Sequence, residues 1–192
     1  MLNKNFFYKN KFLFGILILI IFSFLISFDV YVHVYDGHHH GLIFSNAIDL
    51  LDGKKPYKEI WIQYGFLTTF LHSLIINIFG NKLLYINIFT IVVYITSVLF
   101  ISLTVKKLTN NFYAFITFFI IICNHPIPWL PWANYISLLF LTIAIYLLQF
   151  KLNKFQYLAG FFLGLVCLSR ENYFIFIFPF ILILFVLPFL HK

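Results

Sequence analysis

Acidic residues are scarce in this chain: six Asp and Glu in 192 residues, against thirteen Lys and Arg, for a formal net charge of +7. Only one of the basic residues, Arg170, is an arginine. Charged residues make up 10% of the chain, where a soluble domain carries about a quarter. With 62% hydrophobic residues and a mean hydropathy of +0.97, one soluble core of this size could not hide the apolar surface. Lipid is the expected solvent. The lysines lie scattered in short loops without a basic stripe, so the positive balance speaks for topology and lipid headgroups and against a nucleic-acid partner. The two cysteines, Cys123 and Cys167, both fall in apolar runs without metal-ligand spacing, which excludes a disulfide framework and leaves each as a small buried hydrophobe.

Long apolar runs take the place of the missing charge. They occur at 12–28, 66–79, 83–105, 112–123, 135–150, 155–168 and 173–190. A helix needs roughly 20 apolar residues to cross a bilayer, fewer when flanking side chains snorkel. The fold class expected is an all-α polytopic membrane protein with six or seven transmembrane helices. Lys4, Lys9 and Lys11 precede the first run, and no small-x-small cleavage pattern follows it. Residues 12–28 therefore read as a retained signal anchor with a cytoplasmic N-terminus. Residues 1–192 form a single transmembrane domain: the anchor, an outer loop at 29–65 and a helical bundle at 66–190.

The lysines bear on the span count. With seven spans, Lys106, Lys107, Lys151, Lys154 and Lys192 fall outside, against the positive-inside rule. The run 66–79 is short and carries Thr68, Thr69, His72, Ser73 and Asn77. If it is re-entrant, those five lysines join the cytoplasmic side and Arg170 moves outside. The six-crossing arrangement is favoured and seven spans stay open.

Within the loop, residues 29–35 alternate Asp29, Tyr31, His33 and Tyr35 with Val30, Val32 and Val34, a strand-like pattern. Asp36-Gly37 is a turn signal. Residues 41–52 predict a short amphipathic surface helix, with Ser45, Asp49 and Asp52 on one stripe, closed by Gly53 and lying flat on the membrane.

Several residues carry candidate chemistry. Asp36, crowded by His33, His38, His39 and His40, has the makings of a general base, against the plainer reading of a turn-former. The histidines could pair with a phosphate when protonated or bind a divalent metal. Three adjacent side chains cannot reach one ion on regular backbone, so His38 and His40, sharing a side in an extended segment, are the candidate metal ligands. Arg170 can fork around a phosphate or pair with its neighbour Glu171. The stretch NHPIPWLPWANY (124–135) reads as a rigid corner, or through Trp132 and Asn134 as the lip of a cavity.

Taken together, residues 36–80 resemble the first outer loop of the GT-C membrane glycosyltransferases, in the branch related to dolichyl-phosphate-mannose protein mannosyltransferases. The matching features are Asp36 after the first span, a surface helix ending at Gly53, Pro56-Tyr57, Gln63-Tyr64-Gly65 and Phe79-Gly80. AGFFLGLVCLSREN (159–172) resembles the family's glycine-containing helix followed by a basic residue. Two features depart: the acidic pair is Asp-Gly, and the carboxylate after Pro-Tyr is Glu59, displaced by one position. The resemblance implies inverting transfer of a hexosyl or pentosyl group from a polyprenyl-phosphate donor to an acceptor hydroxyl, on the outer face of the cell (inner) membrane. It implies Asp36 as base and His38, His39, Gln63, Tyr64 and Arg170 as substrate-binding groups. The family runs to several hundred residues, so the expectation is an N-terminal module whose bundle a second chain completes. The alternatives are a non-catalytic membrane protein that binds polyprenyl lipid or a partner subunit, and a transporter subunit. The latter is disfavoured because only His72 puts an ionisable group inside a candidate span.

Overall fold

The computed structural model describes residues 11–33, 36–125 and 130–179. The described chain is all-α: α1 (Lys11–His33), α2 (Gly37–Leu51), α3 (Phe66–Phe79), α4 (Leu83–Leu108), α5 (Asn111–Asn124), α6 (Ala133–Leu148) and α7 (Asn153–Ser169). A 3-10 turn at Glu171–Tyr173 follows, and residues 174–179 are helical again. The remainder of the expected last crossing, Lys192, and the Pro126–Trp129 part of the corner lie outside the described residues.

Two helices, α1 over Lys11–Asp29 and α4, are long and apolar enough to cross a membrane; α3, α5 and α6 are apolar but shorter. Residues 29–33 continue α1 rather than forming the extended segment that their alternation suggested. Valine and tyrosine favour strands only when a pleated partner is present. Here they prolong a helix already nucleated over four turns, and elongation is cheap once a helix exists.

The bundle has two chemically different ends. At one, the Lys106 ammonium lies 4.5 Å from the Phe12 ring centre and that of Lys107 3.0 Å from Phe150. The start of α1 thus meets the ends of α4 and α6, so α1 and α4 run antiparallel. Helix α6 runs with α4, as the Tyr94–Tyr135 and Phe100–Tyr146 ring pairs show. Helix α7 returns along α6, matching Phe162 to Phe140 and Phe155 to Phe150. Lys11, Lys106, Lys107, Lys151 and Lys154 gather at this lysine end; α1 and α7 finish at the other, histidine end.

Helix α3 behaves differently. His72 meets Phe89 and Phe79 meets Tyr85. It therefore runs antiparallel to only the first few turns of α4, beside a helix of 26 residues. Its first turn is fastened to Ser169, at the end of α7. Its start thus meets the end of α7, and its end lies beside the start of α4.

Around a buried apolar core that includes Ile91, Val98 and Phe118, large apolar side chains also cover the outside, while small hydroxyls lie within. Leu13, Ile18, Ile175 and Phe176 are all more than 60% exposed, whereas Ser23, Ser27, Ser97 and Ser102 are fully buried between helices. Small polar side chains let helix backbones approach closely where lipid supplies no hydrophobic driving force. The Ser97 hydroxyl donates to the Val93 carbonyl and that of Ser102 to the Ala114 carbonyl on α5. Cys123 is exposed rather than buried and Cys167 is half-buried; both are free thiols.

Helix α2 starts four residues before the expected position, because Asp36 caps it, and stops before Gly53 at φ +83°. Where a helix lying flat on the membrane was expected, its apolar side packs on other helices. Ile43 and Ala47 are buried against Ile76 of α3 and Ile86 of α4. The Asn46 amide donates to the Trp61 carbonyl at 2.9 Å, tying α2 to the returning loop.

Candidate functional site

Two groups of expected site residues lie at the histidine end. The first is the turn that opens α2. Asp36 stands in extended backbone (φ −103°, ψ 108°), the geometry of a helix N-cap. Its Oδ1 accepts the backbone N–H of His38 (2.9 Å) and His39 (3.3 Å). Its Oδ2 lies 2.8 Å from His39 Nδ1. The His39 bond, with help from the two backbone donors, holds the Asp36 carboxyl below the usual carboxylate range. His40 is fully buried, with Nδ1 3.1 Å from the Asp36 backbone nitrogen, and burial pushes its pKa below the ordinary histidine value. His38 is exposed and touches His39 edge to face. The other side of His39 meets the Trp132 ring, centre to centre 5.7 Å, just before α6.

This geometry separates His38 from His40. In an extended segment they would share a side; in a helix, two positions turn the chain by about 200°. One is exposed and the other buried. Among the described residues, no group of three or more His, Cys, Asp or Glu is arranged to hold a metal ion.

The second group forms a cleft between the loop before α3 and the turn after α7. Gly65 N–H donates to the Ser169 carbonyl (3.1 Å), which also accepts the Thr68 hydroxyl (2.9 Å). The backbones approach so closely that a Cβ on Gly65 would stand 2.6 Å from Ser169 C and closer still to the Leu168 carbonyl oxygen. Only glycine fits there. Tyr57, a non-glycine residue at φ 61°, sends its hydroxyl 2.5 Å to Glu171 Oε1. Partial burial, reinforced by that bond, pushes the Tyr57 phenol up to about 12. Glu59 stays within its own turn, accepting Lys55 N–H at 2.7 Å.

Arg170 occupies the middle of this cleft. Its guanidinium carbon lies 5.6 Å from the Tyr64 ring centre and 5.8 Å from that of Tyr173. The expected alternative, an Arg170–Glu171 pair, does not form among the described residues: Glu171 is taken by Tyr57. Gln63, Tyr64, Arg170, Glu171 and Asn172 line an open cavity of about 210 Å³. A guanidinium between two rings, facing a polar cavity, can receive a phosphate or carboxylate.

The structure thus brings Gln63, Tyr64 and Arg170 together, and separately Asp36, His38 and His39. Sequence reasoning missed Tyr57, which holds Glu171, and Tyr173, whose ring faces Arg170; the Pro56-Tyr57 motif was visible, but its partner lies 114 positions away. It also missed the cluster where Tyr94 hydroxyl donates to the His125 carbonyl and His125 Nε2 lies 3.1 Å from the Tyr135 hydroxyl.

Compared with known proteins, residues 63–192 match a sequence-family profile described as dolichyl-phosphate-mannose-protein mannosyltransferase. That span contains the whole Arg170 cavity and leaves the Asp36 turn outside it. No curated protein and no solved structure matches the chain.

Proposed function

Since the chain belongs to the dolichyl-phosphate-mannose-protein mannosyltransferase family, we propose that it is a membrane glycosyltransferase of the GT-C type that takes its sugar from a polyprenyl-phosphate donor. The observation that carries this reading is Arg170, placed between Tyr64 and Tyr173 at a cavity made entirely of residues inside the family match. The donor's phosphate seats on the Arg170 fork, with Gln63 and Asn172 supplying neutral hydrogen bonds. As the bond from sugar C1 to phosphate oxygen breaks, negative charge grows on the leaving group, and a fixed guanidinium is worth more to that state than to the intact donor. The acceptor hydroxyl attacks C1 from the opposite face in one displacement, which inverts the anomeric centre. Its proton leaves to the Asp36 turn.

Placement in the membrane follows the same reading. Helix α3 does not cross, and α1, α4, α5, α6 and α7 make five of the six expected crossings, the last of which runs into residues outside those described. The lysine end then faces the cytoplasm, as the positive-inside rule asks. The Asp36 turn and the Arg170 cleft face outward at the surface of the cell membrane.

The test is transfer of labelled mannose from a polyprenyl-phosphate donor in membranes holding the chain, with Arg170→Gln beside it. Transfer that falls tenfold or more in the variant, with membrane insertion unchanged, is the expected result. Donor binding by the wild type without any transfer would instead assign a non-catalytic polyprenyl-lipid protein.

A further inference from the structure

We propose that the group that takes the acceptor's proton is His39, through Nε2, and that Asp36 is its positioning residue rather than the base. This rests on the glycosyltransferase reading above and names the atom at which the proton is received.

The carboxylate of Asp36 is already occupied. One oxygen accepts two backbone N–H groups at the start of α2, and the other accepts His39 Nδ1–H at 2.8 Å. A carboxylate engaged in this way is a weakened base, and moving it toward a substrate would uncap the helix. The same contacts give His39 what a base needs. Nδ1 bonded to a carboxylate must carry the ring proton, which leaves the Nε2 lone pair free, and the carboxylate stabilises the imidazolium once Nε2 is protonated. The ring is partly exposed, with 29% of the side chain accessible, and its orientation is fixed from a second direction by Trp132. Neither neighbour is equivalent. His40 is buried with Nδ1 turned to Asp36 backbone, and His38 is exposed, its ring bonded to no carboxylate among the described residues.

In the step, the acceptor oxygen forms its bond to sugar C1 as its proton passes to His39 Nε2. The C1–O bond to the lipid phosphate breaks, and the phosphate departs with the electron pair. Imidazolium beside Asp36 and phosphate on Arg170 balance the charges.

The experiment compares His39→Asn, His39→Gln and Asp36→Asn in the full chain in membranes, with radiolabelled polyprenyl-phosphate mannose as donor. Asn at position 39 can still donate to Asp36 from the place of Nδ1 but has no basic nitrogen; Gln places an amide where Nε2 was. Both are expected to cut kcat by a hundredfold or more, the usual loss on removing a general base, with KM for the donor and thermal midpoint unchanged. Asp36→Asn, which keeps the cap, is expected to lose less. In the ¹⁵N spectrum of histidine-labelled protein, His39 is expected as the Nδ1-protonated tautomer. Near-wild-type turnover in both His39 variants, a larger loss in Asp36→Asn, or an Nε2-protonated His39 each overturns the proposal and returns the role to Asp36 or elsewhere. A wild type that transfers no sugar overturns the proposed activity itself, and the role of His39 with it.

Discussion

The Asp36 turn and the Arg170 cleft sit at the same end of the bundle and are built in opposite ways. Every hydrogen bond described for the Asp36 side chain lies within three positions of it in sequence. The cleft is held by bonds that span about a hundred positions: Gly65 to Ser169, Thr68 to Ser169, Tyr57 to Glu171. A local turn folds with its own helix and tolerates change elsewhere in the chain. A cleft closed by distant segments depends on the packing of α3 and α7 and is the more fragile of the two.

The sharpest way to break this comparison is Gly65→Ala. The backbone at Gly65 is ordinary extended conformation (φ −61°, ψ 146°), so the clash is purely one of space. Overpacking of this kind typically costs about 1–3 kcal/mol. It should open the cleft and abolish sugar transfer while leaving the Asp36 turn intact, as amide exchange protection at His38–Gly41 would report. Arg170→Lys keeps the charge but loses the planar fork, so KM for the donor should rise about tenfold without loss of thermal stability. Tyr57→Phe removes one hydrogen bond and should raise that KM about fivefold, the size of one ordinary bond, measured in the same assay.

On the local side, Asp36→Ala should increase exchange of the first α2 amides while insertion and the cleft survive, because the cap is lost. The smallest effect expected is that of pH on the wild type. Burial places the folded pKa of His40 below its unfolded value of 6.5. The stability that neutral His40 contributes is therefore present above pH 6.5 and lost as pH falls through the folded value. Asp36, lowered from 3.8, loses its contribution only at still lower pH. Protection factors at His38–Gly41, taken relative to the intrinsic exchange rate at each pH, should fall on acidification below pH 6.5 before any change at Gly65.

The same contrast explains what the sequence disclosed. The all-α class, the apolar runs and the Gly53 stop were legible because each is written in adjacent residues, whereas Asp36-Gly37 was read as a turn and the helix that Asp36 caps was placed four residues late. The alternation at 29–35 misled because its period is real but no partner strand is present among the described residues, and α1 carried on through residues 29–33. The apolar side of α2 was read as facing lipid, since nothing in residues 41–52 says that Ile76 and Ile86 will cover it. Arg170 stood out as the one arginine; Tyr64 and Gln63 were singled out by the family resemblance, while the contact that joins Tyr57 to Glu171 left no local trace.

The long-range closure at Gly65 also imposes an order on synthesis. The segment carrying Gln63, Tyr64 and Gly65 leaves the ribosome about a hundred residues before the Ser169 carbonyl that it binds. Until α7 has been inserted, this half of the cleft has no opposite wall. The segment at Gln63–Gly65 therefore waits uncovered while about a hundred further residues are made, and the cavity around Arg170 takes shape only as the turn after α7 emerges.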